Sequence, residues 1–267
     1  VGSEMCIRDR NKEDHMGVTG QNGVGKSTLI KILTGEIIPD DGQVKWQNKI
    51  DVGYLDQYAK LAPGVTIRGF LRTAFDQLYQ KEKELNELYA KYAENGDDTL
   101  LEKAGKVQTY LEKNNFYEID TEIEQVAAGL GLADLGYDHD VSKLSGGQRS
   151  KIILAKLLLQ SPDVLVLDEP TNYLDVSHID WLVDYLNNFS GAFIVVSHDY
   201  DFLGRITNCI IDIDFGTITR YTGTLKQALR QKVANRETYM KAYANQQRKI
   251  AKTEAYIRKN KAGTRAK

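Results

Sequence analysis

Cysteine, proline and long hydrophobic runs are all scarce in this chain of 267 residues. It contains two cysteines and four prolines. Two cysteines make no disulfide framework, which favours a reducing, cytoplasmic location, and Cys209 is interpreted as a core thiol in a strand. The longest apolar runs, such as 164–167 and 193–196, have the length of strands. A membrane-spanning helix needs about 20 apolar residues, so these residues predict no membrane span.

Acidic residues are nearly missing from the last part of the chain. Residues 225–267 contain 13 Lys or Arg and only two acids, a net charge of +11, while the other 224 residues carry −13 of the total −2. An acidic body followed by a basic tail suggests an anionic partner for the tail alone. The alternative is a solvated end without a partner.

The first ten residues have neither a helical period nor the form of a signal peptide. They match the translation of a transposase-based sequencing adapter, so residues 1–10 are interpreted as an artefact and left out of fold reasoning. On this interpretation the native sequence begins near Asn11, is truncated upstream, and does not start at Met5.

Residues 20–27 form a complete GxxxxGK[ST] phosphate loop. Its glycines let backbone N–H groups turn inward around a phosphate, and a helix starting near Lys26 adds its positive end. Lys26 is expected to reach the β and γ phosphates and the Ser27 hydroxyl to bind Mg²⁺. A glycine turn before a helix would not by itself require Lys-Ser at this offset. The predicted ATP-binding residues are Gly20, Gln21, Asn22, Gly23, Val24, Gly25, Lys26, Ser27 and Thr28.

Two carboxylates, Asp168 and Glu169, directly follow four apolar residues. This pattern predicts an acidic pair at the tip of a buried parallel strand, where strand ends meet the ligand crevice. Asp168 would hold Mg²⁺ through water, and Glu169 would orient or polarise the attacking water. An acidic pair after a strand is usually a solvated loop, but the earlier phosphate loop and the following Pro-Thr-Asn-Tyr-Leu-Asp favour catalysis.

A second anion-binding device begins at residue 145. It offers a serine N-cap and bare backbone amides at a helix start, in the sequence Ser145, Gly146, Gly147 and Gln148. One ATP site does not need two cradles for its γ-phosphate. The second device is therefore expected to face ATP that is held by another unit of the same kind. Gln57 and His198 each end a predicted strand, and they are assigned to the metal and to catalysis, respectively.

The remaining pattern is that of an α/β protein with a helical insertion. Strands are predicted at 16–19, 43–46, 50–55, 163–167 and 192–196 and around 211 and 218, and helices at 26–33, 147–160 and from 225 onward. Between them, a ladder from Leu71 to Tyr92 and a second apolar face from Leu100 to Leu111 flank a strong turn at 95–98. These features predict an antiparallel helical hairpin within an insertion at about 66–126.

Together these motifs resemble the ATP-binding cassette family, and more narrowly its ABC-F branch of soluble tandem-cassette translation factors. The narrower resemblance rests on the segments 168–175, 197–203 and 221–223, together with Arg149 and Lys151, and it covers residues 11–267. It implies a P-loop NTPase fold that uses ATP and Mg²⁺. Residues 11–222 would be a first cassette, with Asp175 in its D-loop, and residues 223–267 the start of a basic inter-cassette linker.

The resemblance also implies partners. The insertion would be the family's arm, and arm and linker would contact the ribosome and transfer RNA, with a second cassette expected on the same chain. The candidate RNA contacts in the linker are Arg248, Lys249, Lys252, Arg258, Lys259 and Lys261.

The chain also departs from the family pattern. Only residues 11 to 19 precede Gly20, so the aromatic residue that stacks on adenine in the family is missing, as is the second cassette. The isolated chain is therefore expected to bind ATP weakly and hydrolyse it poorly. The competing hypothesis is the energising subunit of a membrane transporter, which predicts no long basic helix after the cassette. A third possibility is a DNA-repair or chromosome-maintenance cassette. It predicts zinc-binding cysteines or very long coiled coils, and neither is present in this sequence.

Overall fold

A six-stranded sheet, in the order β2-β3-β4-β1-β5-β6, forms the centre of the protein. The computed structural model describes residues 14–55, 61–214 and 217–263. The strands are β1 (His15–Gly20), β2 (Val52–Tyr54), β3 (Val164–Asp168), β4 (Ala192–Val196), β5 (Cys209–Asp214) and β6 (Thr217–Thr222). All pairings are parallel except that of β5 with β6. The predicted α/β class is therefore confirmed.

Nine helices are described around this sheet. They are α1 (Lys26–Leu33), α2 (Ile67–Arg72), α3 (Asp76–Asn95), α4 (Asp98–Lys113), α5 (Ile119–Gly129), α6 (Gly146–Gln160), α7 (Val176–Asn187), α8 (Tyr200–Ile206) and α9 (Leu225–Gly263). Short 3-10 turns lie at 73–75, 116–118, 133–135 and 141–143.

The sheet is buried on both faces, which explains the unbroken apolar runs of its central strands. On one face Val166 and Ile194 contact the core formed with Ile30 of α1. On the other face Leu165 and Phe193 belong to a larger core that includes residues of α5, α6 and α7. Side chains alternate between these two cores because successive residues of a strand point to opposite faces.

The helical insertion contains the predicted turn. Gly96 adopts a left-handed conformation with φ 67° and ends α3, and the Asp97 side chain caps α4 by accepting a hydrogen bond from the Thr99 amide. The apolar ladder is less continuous than predicted. Leu71 lies in α2 and Phe75 in a 3-10 turn, so α3 begins only at Asp76.

The strand predicted at 43–46 is wrong, because residues 43–47 are irregular. The Trp46 indole N–H donates a hydrogen bond to the Leu33 carbonyl (3.0 Å), and its ring contacts the core around α1. A single side-chain anchor therefore holds this segment where sheet pairing was expected. The next strand, β2, is also shorter than the predicted 50–55.

The long helix α9 leaves the core almost at once. Leu225 and Ala228 are buried, but the helix continues for 39 residues, about 60 Å at 1.5 Å per residue. The apolar residues along it are exposed: Leu229, Val233, Met240, Tyr243, Ile250 and Ile257. Among the described helices, none is both long and apolar enough to cross a membrane.

Candidate functional site

Three strands bring the predicted catalytic residues to one edge of the sheet. Strand β1 ends at Gly20 and β3 ends at Asp168, while β4, which lies between them, ends at Val196. Asp168 is in register with Val196, which is also in register with Val18 of β1. The acidic pair, the histidine loop and the phosphate loop therefore share the carboxyl edge of a parallel sheet, the usual ligand crevice of such folds.

The glycines of the phosphate loop satisfy different steric requirements. A Cβ at Gly20 would lie only 2.5 Å from the Ile213 carbonyl oxygen, so no larger residue fits there. Gly23 (φ 81°) and Gly25 (φ 101°) adopt left-handed conformations, and a Cβ on either would meet no atom of the described residues within 4 Å. The loop thus presents bare backbone toward open space, which suits close approach by a phosphate.

Lys26 is held in a defined position across this loop. Its side chain is buried, with an exposed fraction of 8%, and its Nζ donates hydrogen bonds to the carbonyls of Gly20 (2.9 Å) and Gln21 (3.0 Å). An ammonium group has three donors, so one remains for a phosphate oxygen.

The start of α1 is equally available to an anion. Among the described residues no side chain caps this end, so its first amides and the positive end of the helix dipole are left for an anion. The side chains of Ser27 and Thr28 are exposed in the first turn, as are those of Gln21 and Asn22 in the loop.

Glu169 is positioned by its backbone as well as its side chain. It has a left-handed φ of 49°, and its amide donates to the Val196 carbonyl (2.9 Å). One carboxylate oxygen, Oε2, accepts a hydrogen bond from the His198 amide (3.4 Å). The other, Oε1, is buried, lies 3.6 Å from His198 Nε2, and accepts no hydrogen bond from the described residues. A buried acceptor without a partner is unusual and leaves a lone pair for a water molecule.

Burial raises the pKa of the Glu169 carboxyl, and the nearby Asp168 charge adds to this effect. The hydrogen bond from the His198 amide and the charges of His198 and Lys26 act in the opposite direction without cancelling it. A carboxylate with a raised pKa is a better proton acceptor, as expected for a group that polarises water.

The predicted metal site is only partly described. Asp168 lies at the end of β3, which is separated by β4 from the strand that leads into the phosphate loop, and Ser27 is the second residue of α1. Gln57 lies outside the described residues. The oxygen donors of Asp168 and Ser27 are of the kind that Mg²⁺ prefers alongside phosphate oxygens.

The second anion-binding device forms the predicted helix start. Ser145 caps α6 by accepting a hydrogen bond from the Gln148 amide (3.4 Å), and the Gln148 side chain accepts one from the Ser145 amide (2.9 Å). Gly146 and Gly147 leave the first turn without side chains between these two residues.

Sequence reasoning gave no role to Tyr173, which lies over this helix start. A Cβ added to Gly147 would lie 3.2 Å from Tyr173 side-chain atoms, so glycine permits the contact. Tyr173 has φ 69° and is 68% exposed. Positive φ at a bulky residue was the kind of feature that a sequence pattern does not reveal.

Asp175 caps α7 two residues further on. Its Oδ1 accepts hydrogen bonds from the His178 amide (3.1 Å) and the Ser177 hydroxyl (2.8 Å). The hydrogen bond from the His178 backbone amide is the main cause that lowers the pKa of the Asp175 carboxyl. The predicted D-loop residue Asp175 therefore stabilises the start of α7, and its side chain remains largely exposed.

The candidate RNA contacts are arranged along α9. Arg248, Lys249, Lys252 and Arg258 have exposed side chains, and Lys259 and Lys261 fall within the bounds of the helix. All six positions lie on α9 and not on the loops at the carboxyl edge of the sheet.

Comparison with known proteins places these features in a family. A family profile described as ABC transporter matches residues 9–172, and a second profile with the same description matches residues 211–267. The uncharacterized ABC transporter ATP-binding protein YfmM of Bacillus subtilis is 45% identical over 94% of this chain and 49% of its own length. The energy-dependent translational throttle protein EttA of Haemophilus influenzae is 34% identical over 94% of this chain and 45% of its own length.

Solved structures support the same fold. An ATP-binding subunit of an ABC transporter superposes with a TM-score of 0.59 at 18% identity, covering 82% of each chain. A protein described as RNase-L Inhibitor gives a TM-score of 0.54 at 23% identity, covering 84% of this chain and 37% of its own. The present chain spans about half the length of the curated relatives it matches.

Proposed function

The chain belongs to the ABC transporter family of ATP-binding proteins, and on that premise we propose that it is part of an ABC-F type ATPase that acts on translating ribosomes. ATPases of this family bind ATP with Mg²⁺, and the metal would neutralise phosphate charge in the site. The loop amides and Lys26 would bind the β and γ phosphates, and Asp168 and Ser27 would hold the metal.

Glu169 is the residue we assign to hydrolysis. The observation that carries this assignment is its buried Oε1, which accepts no hydrogen bond from the described residues while Oε2 is held by the His198 amide. Such an arrangement fixes the carboxylate and leaves one oxygen to accept a proton from water. His198 would stand beside that water, since its Nε2 lies 3.6 Å from the same oxygen.

The second anion-binding device at the start of α6 (Ser145, Gly146, Gly147 and Gln148) is proposed to act on ATP held by a second cassette. Their side-chain hydrogen bonds run between Ser145 and Gln148, which leaves the turn's bare amides for an anion. Tyr173, which contacts Gly147, and Asp175 would lie at the same junction. This chain alone would then bind ATP weakly and hydrolyse it poorly.

The translation role is supported by α9 and by the relatives. Cationic side chains, among them Arg248, Lys249 and Lys252, are exposed along a helix that extends beyond the core. Such a helix can bind the phosphate backbone of RNA by charge without reading its sequence. EttA, named as a translational throttle, matches 94% of this chain, so the match includes most of the 39 residues of α9. We propose the ribosome and transfer RNA as the partners, contacted by α9 and by the hairpin of α3 and α4.

Ribosome co-sedimentation tests this proposal in the full two-cassette protein. Glu169→Gln, together with the equivalent change in the second cassette, should trap bound ATP and cause co-sedimentation only when ATP is present. Lys26→Ala in the same background is the control, because it removes a phosphate-binding donor and should abolish the association. Association with membranes and no ribosome binding, with ATP binding intact, would favour the transporter-subunit hypothesis.

A further inference from the structure

One carboxylate, that of Asp212, is buried inside the sheet beside the strand that leads into the phosphate loop. Asp212 lies in the middle of β5 between apolar neighbours, with an exposed fraction of 4%. Burying a carboxylate is costly unless it is paired and hydrogen-bonded. The groups that pair with Asp212 therefore indicate why a carboxylate is buried there.

Asp212 joins two parts of the protein that are far apart in sequence. Its Oδ1 accepts a hydrogen bond from the Thr19 hydroxyl of β1 (3.1 Å). The same oxygen accepts one from Nζ of Lys232, two turns into α9 (2.8 Å). Burial acts to lower the pKa of Lys232, but the hydrogen bond and charge of Asp212, together with the nearby charge of Asp214, outweigh it, so the pKa of Lys232 is raised.

The strand end of this network is continuous with the phosphate loop. Thr19 is in register with Asp212, and the next residue, Gly20, is in register with Ile213. Gly20 is pressed against β5, since its missing Cβ would lie 2.5 Å from the Ile213 carbonyl oxygen. The Gly20 carbonyl also accepts a hydrogen bond from Lys26 Nζ (2.9 Å). A phosphate that binds Lys26 therefore acts one peptide unit away from Thr19.

A simple anchor for α9 would not need all of these contacts. A buried ion pair is weak evidence for stability. A helix can be docked by apolar residues alone, such as Leu225 and Ala228. The present pair instead shares one carboxylate oxygen with the strand that leads into the phosphate loop. The start of α9 and the nucleotide site are thus linked by two side-chain hydrogen bonds to Asp212, by the peptide unit between Thr19 and Gly20, and by the hydrogen bond from Lys26 to the Gly20 carbonyl.

We propose that Asp212 and Lys232 are positioning residues that couple nucleotide binding at the phosphate loop to the docking of the basic helix α9. The inference rests on the proposed function for the identity of the nucleotide. Coupling of this kind is reciprocal: if ATP stabilises the docked helix, a docked helix raises ATP affinity by the same factor. An RNA bound along α9 would then influence the ATP site through Lys232.

Hydrogen exchange on this chain, with and without saturating MgATP, tests the coupling without any RNA. In the wild type, MgATP should slow exchange both across the phosphate loop with the adjoining end of β1 and helix α1 (18–33) and at the start of α9 (225–236), the latter by about fivefold or more. The variant Asp212→Asn/Lys232→Met removes both charges together and leaves no unpaired buried ion. It should keep the loop protection and lose the protection of α9.

Two single variants complete the test. Lys232→Arg keeps a cationic donor and should retain the response of α9. Lys226→Met removes an exposed lysine of the same helix with no described partner and should also retain it. Equal protection of α9 by MgATP in the double variant, or its loss in Lys232→Arg, would overturn the coupling. Loop protection without any α9 protection in the wild type would overturn the coupling alone, whereas no loop protection would reject ATP binding itself.

Discussion

The body of the protein (residues 14–222) and helix α9 differ in almost every physical respect. The body surrounds its sheet with two buried cores, whereas α9, as far as its side chains are described (225–258), is buried only at its first turn. The residues up to 224 carry a net charge of −13 and those from 225 onward carry +11. Burial determines the structure of the body, while α9 is supported along most of its length by its own backbone hydrogen bonds.

This difference corresponds to two modes of recognition. In the body, a few side chains such as Lys26 and Glu169 are fixed by hydrogen bonds, as suits a small ligand with defined geometry. On α9 the cationic groups are exposed, as suits an extended anionic surface. We expect mutations in the body to act through geometry and stability, and mutations on α9 to act through charge.

The largest contrast is expected for one substitution made in both regions. Ile194→Ala removes a side chain that is 2% exposed in β4 and should lower the free energy of unfolding by about 2–5 kcal/mol. Ile250→Ala removes the same atoms at a position on α9 that is 42% exposed, and the expected change is within about 0.5 kcal/mol. Urea unfolding followed by circular dichroism measures both. Similar losses would show that α9 is buried against a partner surface in solution.

A smaller effect is expected from charge removal. Lys249→Gln with Lys252→Gln should reduce the salt dependence of RNA affinity, lowering the slope of log K against log salt by about 1.4 for single-stranded RNA, since each lost phosphate contact contributes about 0.7. Lys45→Gln with Lys49→Gln removes two exposed lysines from the body and should leave the slope unchanged. Fluorescence anisotropy measures the affinity for labelled RNA at several salt concentrations between about 50 and 200 mM, and the slopes follow from those affinities. Equal changes for both pairs would show that the RNA contact is not confined to α9.

The smallest effect concerns the pH dependence of stability. Burial raises the pKa of Glu169 in the folded state, so the ionised form is less stable there than in the unfolded chain. Glu169→Gln removes this ionisation and should raise the urea concentration at the unfolding midpoint at pH 7, measured by circular dichroism. The gain should disappear as the pH falls below the unfolded carboxyl value of about 4.3, where both variants are neutral. A gain that persists at pH 3 would assign the effect to packing instead.

Much of the body was predictable because its motifs combine chemistry with a secondary-structure period. The apolar run before Asp168 and the Ser-Gly-Gly-Gln start of α6 each specify an element and a terminus, and β3 and α6 begin and end within one residue of the prediction. Strand β4 was predicted at its observed bounds. The predicted contacts of the site residues with nucleotide, metal and RNA stay predictions.

The features that were not predicted depend on tertiary contacts. Trp46 belongs to a strand-like pattern, but its indole N–H finds the Leu33 carbonyl and no neighbouring strand pairs with the segment. Asp212 stands alone in an apolar strand, and only the fold brings Thr19 and Lys232 to it. A charged residue inside an apolar strand is a signal that a partner exists, but the sequence does not name that partner.

The left-handed backbone of Glu169 has a consequence for how this protein can change over time. A non-glycine residue at φ 49° costs on the order of 1 kcal/mol or more, and glycine would avoid that cost. The residue that folds best at this position is therefore one without a carboxylate. A population selected only for thermal tolerance would drift toward glycine here, so persistence of glutamate along a lineage would itself report continued selection for hydrolysis.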